Sequence, residues 1–181
     1  MPRLFIGLDL PDEIDEYLEL LCTGVDGARW EGADKFHLTL RYIGDVDGGL
    51  HRAIVDALAA VRFPAFDLTL KGVGFFPPRG EPRSLWTGLA ADGDVRELRR
   101  RIDRALDPLG LEKDGRKFAP HVTLARLRSP DVPEVVDYLS AHVLFRSPEF
   151  RVERFLLYSS VRNAKGSKYR VEAGFRLATE R

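Results

Sequence analysis

Two short motifs recur along this chain at a nearly constant spacing, and this internal repeat limits the possible folds more than any other feature of the sequence. The segments RLFIGLD at 3–9 and SLWTGLA at 84–90 share the pattern L-x-x-G-L, at an offset of 81 residues. The segments FHLTLRYIGD at 36–45 and PHVTLARLRS at 120–129 share H-x-T-L, at an offset of 84. Paired motifs in the same order at similar offsets indicate a duplicated unit.

The segments between the motifs follow the same order in both halves. Each first strand is followed by a helical pattern, the H-x-T-L strand, a second helical pattern and closing strands. The predicted helices cover about 12–22, 49–61, 94–106 and 131–141, and the closing strands about 66–75, 150–161 and 169–177. PPRGEP at 77–82 is the clearest break between the halves.

This order predicts an α+β fold formed by a single domain of 181 residues. It contains two β-α-β-α-β halves, with pseudo-repeat lobes at about 1–77 and 83–181. We expect the halves to be related by a pseudo-two-fold axis, with antiparallel sheets facing a central cleft.

The H-x-T-L strands place four polar side chains in this cleft. Because residues i and i+2 of a strand point to the same face, His37 shares a face with Thr39, and His121 shares a face with Thr123. The alternate positions are apolar and are expected under the helices. If the halves are symmetric, two imidazoles and two hydroxyls face each other across the cleft.

Two facing imidazoles and two hydroxyls suit phosphoryl transfer. One imidazole can take a proton from the attacking oxygen while the other donates one to the leaving oxygen. The hydroxyls of Thr39 and Thr123 can donate hydrogen bonds to non-bridging phosphate oxygens. Two alternatives remain, a metal site and purely structural histidines. The metal site lacks a third protein ligand at a convincing spacing.

Composition excludes several classes of protein. Lys plus Arg and Asp plus Glu both number 28, so a protein that coats nucleic acid by charge alone is excluded, although a local phosphate site is not. The single cysteine, Cys22, excludes an internal disulfide. Acidic residues come too early after the N-terminus for a signal peptide, and no apolar run reaches the ~20 residues that span a bilayer. A cytoplasmic location without membrane association is therefore expected.

The motifs resemble those of the two-histidine (2H) phosphoesterase superfamily, and specifically of the LigT-like RNA 2′,3′-cyclic phosphodiesterases, also called 2′-5′ RNA ligases. The resemblance rests on RLFIGLDLP, FHLTLRYIG, LWTGL, RKFAPHVTLAR and LLYSS, and it covers nearly the whole chain. It implies a LigT-like bilobal fold and hydrolysis of terminal 2′,3′-cyclic phosphates to 2′-phosphomonoesters, with a reversible 2′-5′ joining activity.

The resemblance also implies roles for the two histidines. His37 corresponds to the general acid that protonates the leaving 3′-oxygen, and His121 to the general base that acts on water. The residues alone leave open which histidine is the acid. No cofactor is expected, and the expected partners are RNA ends or nucleotides that carry a 2′,3′-cyclic phosphate. The chain is expected to be a monomer.

Two arginines on the motif strands are further candidates for substrate binding. The family has a phosphate-contacting arginine at the place of Arg126, but strict alternation puts Arg126 on the face away from His121, so it would need a bend to reach the site. The same alternation puts Arg41 on the His37 face. The basic loops at 113–117 and 162–170 could also guide an RNA backbone, or could simply be solvated.

Aromatic side chains are a weaker set of candidates for stacking a base, with core packing as the favoured interpretation. They are Phe75, Phe76, Trp86 and Tyr158.

Two other functions remain open. One is a 2H phosphodiesterase that acts on a different small cyclic phosphate. The other is an RNA-binding module with incidental catalysis. Such a module does not need two titratable groups that face each other, so the two motif histidines argue against it.

Overall fold

The computed structural model of the chain describes residues 3–164 and 166–179. The strands are β1 (Arg3–Asp9), β2 (Arg29–Trp30), β3 (His37–Asp45), β4 (Phe66–Leu68), β5 (Leu70–Phe76), β6 (Ser84–Leu89), β7 (Val122–Arg126), β8 (Phe150–Val152), β9 (Arg154–Asn163) and β10 (Gly166–Arg176). The helices are α1 (Asp12–Glu19), α2 (Gly48–Ala59), α3 (Gly93–Leu106) and α4 (Val132–His142). Short 3-10 helices cover Ala33–Lys35 and Asp107–Leu109.

One antiparallel sheet forms the frame of the molecule. Its strand order is β10-β9-β1-β3-β7-β6-β5, with β2 paired to β7, while β4 and β8 form a separate pair. The motif strands β3 and β7 lie side by side but share only the residue pair Leu38 and Val122. The sheet is therefore divided at this junction into two parts, called lobes below, which are β10-β9-β1-β3 and β7-β6-β5 with β2. The predicted antiparallel α+β fold is confirmed.

The closing strands cross between the two sequence halves. β5, from the first half, pairs with β6 of the second, and β9, from the second half, pairs with β1 of the first. The break at 77–82 thus separates the two halves of the sequence. The lobes of the sheet do not coincide with these halves, because each lobe contains strands from both. This symmetric exchange ties the two lobes together.

The four helices occur where the hydrophobic pattern predicts them, with one shorter than expected. α1 ends at Glu19 rather than near residue 22, and the chain soon reaches Gly24, whose positive φ of 93° favours glycine. In α3, the four apolar residues at helical spacing are all fully buried: Val95, Leu98, Ile102 and Leu106. Burying each such side chain stabilises the fold by roughly 1.5–3 kcal/mol.

A β-bulge follows the threonine of the first motif. Thr39 pairs with Gly7 on β1, but the next pair along the strands joins Arg41 to Ile6. Leu40 is therefore an extra residue on β3, and the alternation of side chains shifts by one position beyond it.

The second motif strand has a bulge at the equivalent place. Thr123 pairs with Trp86 on β6, and the next pair joins Ala125 to Leu85. Leu124 is the extra residue, so in both motifs the residues directly after the bulge change face. On β3 a second irregularity follows Tyr42.

No α-helix in the described ranges is long and apolar enough to cross a membrane.

Candidate active site

A cavity of about 430 Å³ lies where the two motif strands meet. Its wall includes His37 and Thr39 from the first motif and His121 and Thr123 from the second. The apolar residues of both motifs are fully buried in the core, and of these only Leu40 is also among the described residues that border the cavity. The i, i+2 spacing thus brings both His/Thr pairs to one cavity.

The imidazole of His37 is held by hydrogen bonds at both nitrogens. Its Nδ1 lies 2.7 Å from the carbonyl oxygen of Lys35, and its Nε2 lies 3.0 Å from the hydroxyl oxygen of Thr39. Because a carbonyl oxygen can only accept, Nδ1 is the nitrogen that carries the proton in the neutral ring. Nε2 is then the nitrogen that gains or loses a proton.

His121 repeats half of this arrangement. Its Nδ1 lies 2.6 Å from the carbonyl oxygen of Ala119, two residues earlier, as Lys35 is two residues before His37. The same tautomer follows, with Nε2 as the exchanging nitrogen. Within the described chain, Thr123 makes no hydrogen bond to His121 like that between Thr39 and His37.

The pKa values of both imidazoles lie below the ordinary value for histidine. Burial is the main cause of the lowered pKa of His37, and the positive charges of His121 and Arg126 lower it further, against the opposing effect of the Lys35 carbonyl. The pKa of His121 is lowered by burial and then by Arg126, against the Ala119 carbonyl. Both rings therefore favour the neutral form at pH 7. An anion between them would favour protonation.

Aromatic rings enclose His37. The ring centroids of Phe5 and Tyr169 lie 5.0 and 5.2 Å from that of the imidazole, and the Tyr158 centroid lies 5.9 Å away. Phe5 and Tyr158 stack on each other and are buried, so for Tyr158 core packing is the role that the structure shows. Tyr169 lines the cavity.

Two rings lie beside His121. Phe76 contacts the imidazole edge-on at 4.8 Å between centroids and lines the cavity. Trp86 is 6.1 Å away and packs over Gly74, where even a Cβ atom would collide with the indole ring. The ring therefore requires glycine at residue 74.

Arg126 lies on the same face of β7 as Thr123. Cross-strand partners share a face, and Arg126 pairs with Ser84 while Thr123 pairs with Trp86, two residues along β6. The Leu124 bulge supplies the bend that strict alternation lacked. Arg126 lines the cavity, lies 3.8 Å from Glu31, and contributes the positive charge that lowers the pKa of both imidazoles.

The Leu40 bulge has the opposite effect on Arg41, and the prediction that Arg41 shares the His37 face is wrong. Arg41 pairs with Ile6, whose side chain is in the main core. Its guanidinium is almost fully buried and donates to Asp103 on α3 at 2.8 Å. Arg41 still borders the cavity at its α3 end.

Tyr42 lies on the His37 face of β3, where Arg41 was predicted. The sequence alone did not identify Tyr42 as a residue of the site. It pairs with Phe5, stacks on that ring at 5.6 Å and lines the cavity. The offset of 84 that relates His37 to His121 also relates Tyr42 to Arg126, since 42 plus 84 is 126. The repeat therefore contained a signal for this residue.

Of the two basic loops, the one at 113–117 contributes directly to the cavity wall. Arg116 and Lys117 line the cavity, and Arg116 makes a bidentate ion pair with Asp114 at 3.0 Å. The prediction of a loop at 162–170 is wrong for most of its described residues, because 162–163 belong to β9 and 166–170 to β10, which pair with each other. Tyr169, on β10, is the described residue of this segment that lines the cavity. Lys165 lies outside the described residues.

A metal site is not apparent from the donor atoms. Within 3–164 and 166–179, no group of three or more His, Cys, Asp or Glu side chains is arranged to hold a metal ion.

Comparison with known proteins gives a consistent result. Residues 27–164 match the family described as the 2′-5′ RNA ligase superfamily. The RNA 2′,3′-cyclic phosphodiesterase of Archaeoglobus fulgidus is 30% identical over 171 residues, which cover 93% of this chain and 96% of that protein. The protein of the same name from Thermotoga maritima is 32% identical over 175 residues, covering 93% of this chain and 92% of that protein.

Solved structures agree in fold over almost the full length. A crystal structure from Thermus thermophilus superposes with a TM-score of 0.84 at 29% identity, covering 99% of this chain and 100% of that one. Escherichia coli LigT complexed with 3′-AMP superposes with a TM-score of 0.77 at 25% identity, covering 98% and 99%.

Proposed function

This chain belongs to the 2′-5′ RNA ligase superfamily, and on that premise we infer that it is an RNA 2′,3′-cyclic phosphodiesterase. The observation that supports this function most directly is the convergence of two His/Thr pairs on one cavity. In both pairs a backbone carbonyl holds Nδ1 and leaves Nε2 to exchange protons. A hydrolase that opens a cyclic diester needs two such groups, one on each side of the phosphorus.

We propose the following reaction. Nε2 of His121 accepts a proton from water as the water oxygen attacks the phosphorus atom. The bond from phosphorus to the 3′-oxygen breaks, and Nε2–H of His37 donates its proton to that oxygen. One water is consumed, and the product is a 2′-phosphomonoester. The assignment of His37 as acid and His121 as base rests on the family resemblance.

The neighbours of the imidazoles have complementary roles in this proposal. The hydroxyls of Thr39 and Thr123 donate to the non-bridging oxygens, and the Arg126 guanidinium offsets the charge that grows on them in the transition state. Because the substrate is an anion, its binding raises the lowered pKa of the imidazoles. Binding would therefore help His37 to acquire the proton that it must donate.

The product distinguishes the two possible assignments. Phosphorus NMR of the product from a 2′,3′-cyclic mononucleotide is expected to show a 2′-phosphate. A 3′-phosphate would mean that the 2′-oxygen is the leaving group, and that the roles of His37 and His121 are reversed. No hydrolysis would contradict the proposed function itself.

We also propose that a 5′-hydroxyl of RNA can replace water at the His121 side. The same proton transfers would then join two RNA ends through a 2′-5′ linkage, and the reverse reaction would cleave it. This joining activity is a prediction.

The reaction is also predicted to need no metal cofactor. Excess EDTA is expected to leave hydrolysis unchanged. A loss of hydrolysis that a divalent ion restores would contradict the metal-free reaction.

The monomeric state and the cytoplasmic location also stay predictions. RNA ends or nucleotides with a 2′,3′-cyclic phosphate are the substrates that we propose.

A further inference from the structure

We propose that Arg41, Arg99 and Lys117 form a second anion site in the cavity, which binds the phosphodiester on the 5′ side of the terminal nucleotide. This inference rests on the proposed function and extends it. The enzyme would then recognise a strand that ends in a cyclic phosphate in preference to a free cyclic nucleotide.

The charge of the cavity wall is the first observation. The chain as a whole has no net formal charge. The cavity, however, is lined by six cationic side chains, Lys35, Arg41, Arg99, Arg116, Lys117 and Arg126. Two carboxylates, from Glu31 and Asp114, line it as well. A cyclic phosphodiester carries one negative charge, so this concentration of positive charge favours a ligand with more than one phosphate.

A partly buried group of three charges at the α3 end of the cavity is the second observation. The Asp103 carboxylate lies 2.8 Å from Arg41 and 3.5 Å from Arg99. The exposed fractions of the side chains are 3% for Arg41, 15% for Arg99 and 32% for Asp103. Two guanidiniums share one carboxylate, so the group keeps one positive charge in a place where water is restricted. Such a charge is costly unless a counter-ion is available.

Arg99 is held at the cavity wall by two contacts. Its buried Nε lies 3.5 Å from the Asp103 carboxylate and makes no hydrogen bond within the described chain. The Phe118 ring lies under the guanidinium, 4.2 Å from its central carbon to the ring centroid, and holds it in place. Both Arg41 and Arg99 line the cavity, but Asp103 is not among its described lining residues. Of this group of three charges, the two arginines are therefore the members that border the cavity.

The path of the chain explains why the cavity extends to this group. β3 and β7 share the single pair Leu38 and Val122. Beyond it, the antiparallel direction sets Arg41 opposite the loop at 111–120, which brings Lys117 to the cavity wall. The cavity passes between them toward α3, and its 430 Å³ lies in the range of sites for whole small ligands. Arg126 thus binds the cyclic phosphate at the imidazoles, while the second site binds the phosphodiester on the 5′ side of the terminal nucleotide.

The test compares three substrates. They are a 2′,3′-cyclic mononucleotide, a dinucleotide with the same cyclic end, and that dinucleotide with an uncharged methylphosphonate linkage. For the unmodified protein, we expect kcat/KM for the charged dinucleotide to exceed that for the methylphosphonate by about 10-fold or more, the usual value of one hydrogen bond to a charged group. In Arg99→Gln and in Lys117→Gln, this ratio should fall several-fold toward one.

The matched control is Arg100→Gln. Arg100 lies next to Arg99 on α3, but its side chain is 69% exposed and pairs with Glu97. This variant should keep the ratio of the unmodified protein. Lys117 is exposed in a loop, so Lys117→Gln provides the test even if Arg99→Gln does not fold.

Failure of this inference can be told apart from failure of the proposed function. If the mononucleotide is not hydrolysed at all, the proposed function is wrong, and the second site falls with it. If the mononucleotide is hydrolysed and the charged and uncharged dinucleotides react equally, the function stands and the second site is wrong. A ratio that is unchanged in both Arg99→Gln and Lys117→Gln would also overturn it.

Discussion

The lobe that carries His37 and the lobe that carries His121 are built alike up to the bulge of each motif and then differ. In both, a carbonyl two residues earlier holds Nδ1 of the histidine, and an extra leucine follows the threonine. Three residues after the threonine, one lobe has Tyr42 and the other Arg126. The two lobes thus hold similar imidazoles, and the residue at this position makes the surroundings of the imidazoles unequal.

This difference has a direct electrostatic consequence. Arg126 brings a positive charge to a site where the other half of the repeat presents a neutral ring, and its charge lowers the pKa of both imidazoles. His37 is also the more enclosed of the two, with Phe5, Tyr158 and Tyr169 around it. The proposed general acid and general base need different surroundings, and the two lobes provide different surroundings on a similar frame.

The largest effect is expected from removing either imidazole. His37→Ala and His121→Ala should each lower kcat for a 2′,3′-cyclic mononucleotide by ~10²–10⁴-fold, the usual contribution of a positioned acid or base. Because the two histidines act together, the double variant should be little worse than either single one. Near-normal turnover in either single variant would contradict the proposed reaction.

The next largest effect is expected at the position that distinguishes the lobes. Arg126→Gln should lower kcat/KM by about 10–100-fold, because a hydrogen bond to a charged group contributes roughly 1.5–3 kcal/mol. Tyr42→Gln, at the equivalent position, should cost less, since Tyr42 has no charge to offer the phosphate. Steady-state kinetics of the two variants would show this order.

Arg128→Gln is the control for that comparison. Arg128 lies two residues beyond Arg126 and is exposed, and it is not among the described residues that line the cavity. The reverse order, with Tyr42→Gln more damaging than Arg126→Gln, would mean that the lobes differ for another reason.

The two bulges also determine how much of the site the sequence could predict. The His and Thr positions follow from the two-residue period of a strand, which holds up to the bulge in each motif. The arginines lie beyond the bulges, so strict alternation misplaced Arg41 and put Arg126 on the wrong face. A bulge depends on the pairing with the neighbouring strand, and a single strand's pattern does not encode it.

The fold was also predictable only in part. The hydrophobic period located the four helices, and the repeated motifs predicted two similar halves. The exchange of closing strands was not predictable, because β5 and β9 have the same apolar character whichever half they join. The buried pair of Arg41 with Asp103 joins residues 62 positions apart, which no local pattern reveals.

A smaller effect is expected from the two threonines. Thr39→Val and Thr123→Val should lower kcat/KM by about 10-fold, the lower end of the range for one hydrogen bond to a charged group, because the hydroxyl donor carries no charge of its own. Thr39→Val should be the worse of the two, because the Thr39 hydroxyl also lies 3.0 Å from Nε2 of His37 and orients that ring. Thr39→Ser keeps a hydroxyl and should recover most of the activity. Equal losses in the two valine variants would show that the bond to His37 does not matter.

The smallest effect is a shift of the pH profile. The profile of kcat/KM should be bell-shaped, because the proposed reaction needs a neutral His121 and a protonated His37. Loss of the proton from His37 gives the alkaline limb, and protonation of His121 gives the acid limb. Since burial and the charge of Arg126 lower the pKa of both imidazoles, the profile should lie at lower pH than ordinary histidines would give. Arg126→Gln removes that charge and raises both pKa values, so what remains of the activity should shift to higher pH. A shift to lower pH, or none, would mean that the Arg126 charge does not act on the imidazoles as the structure indicates.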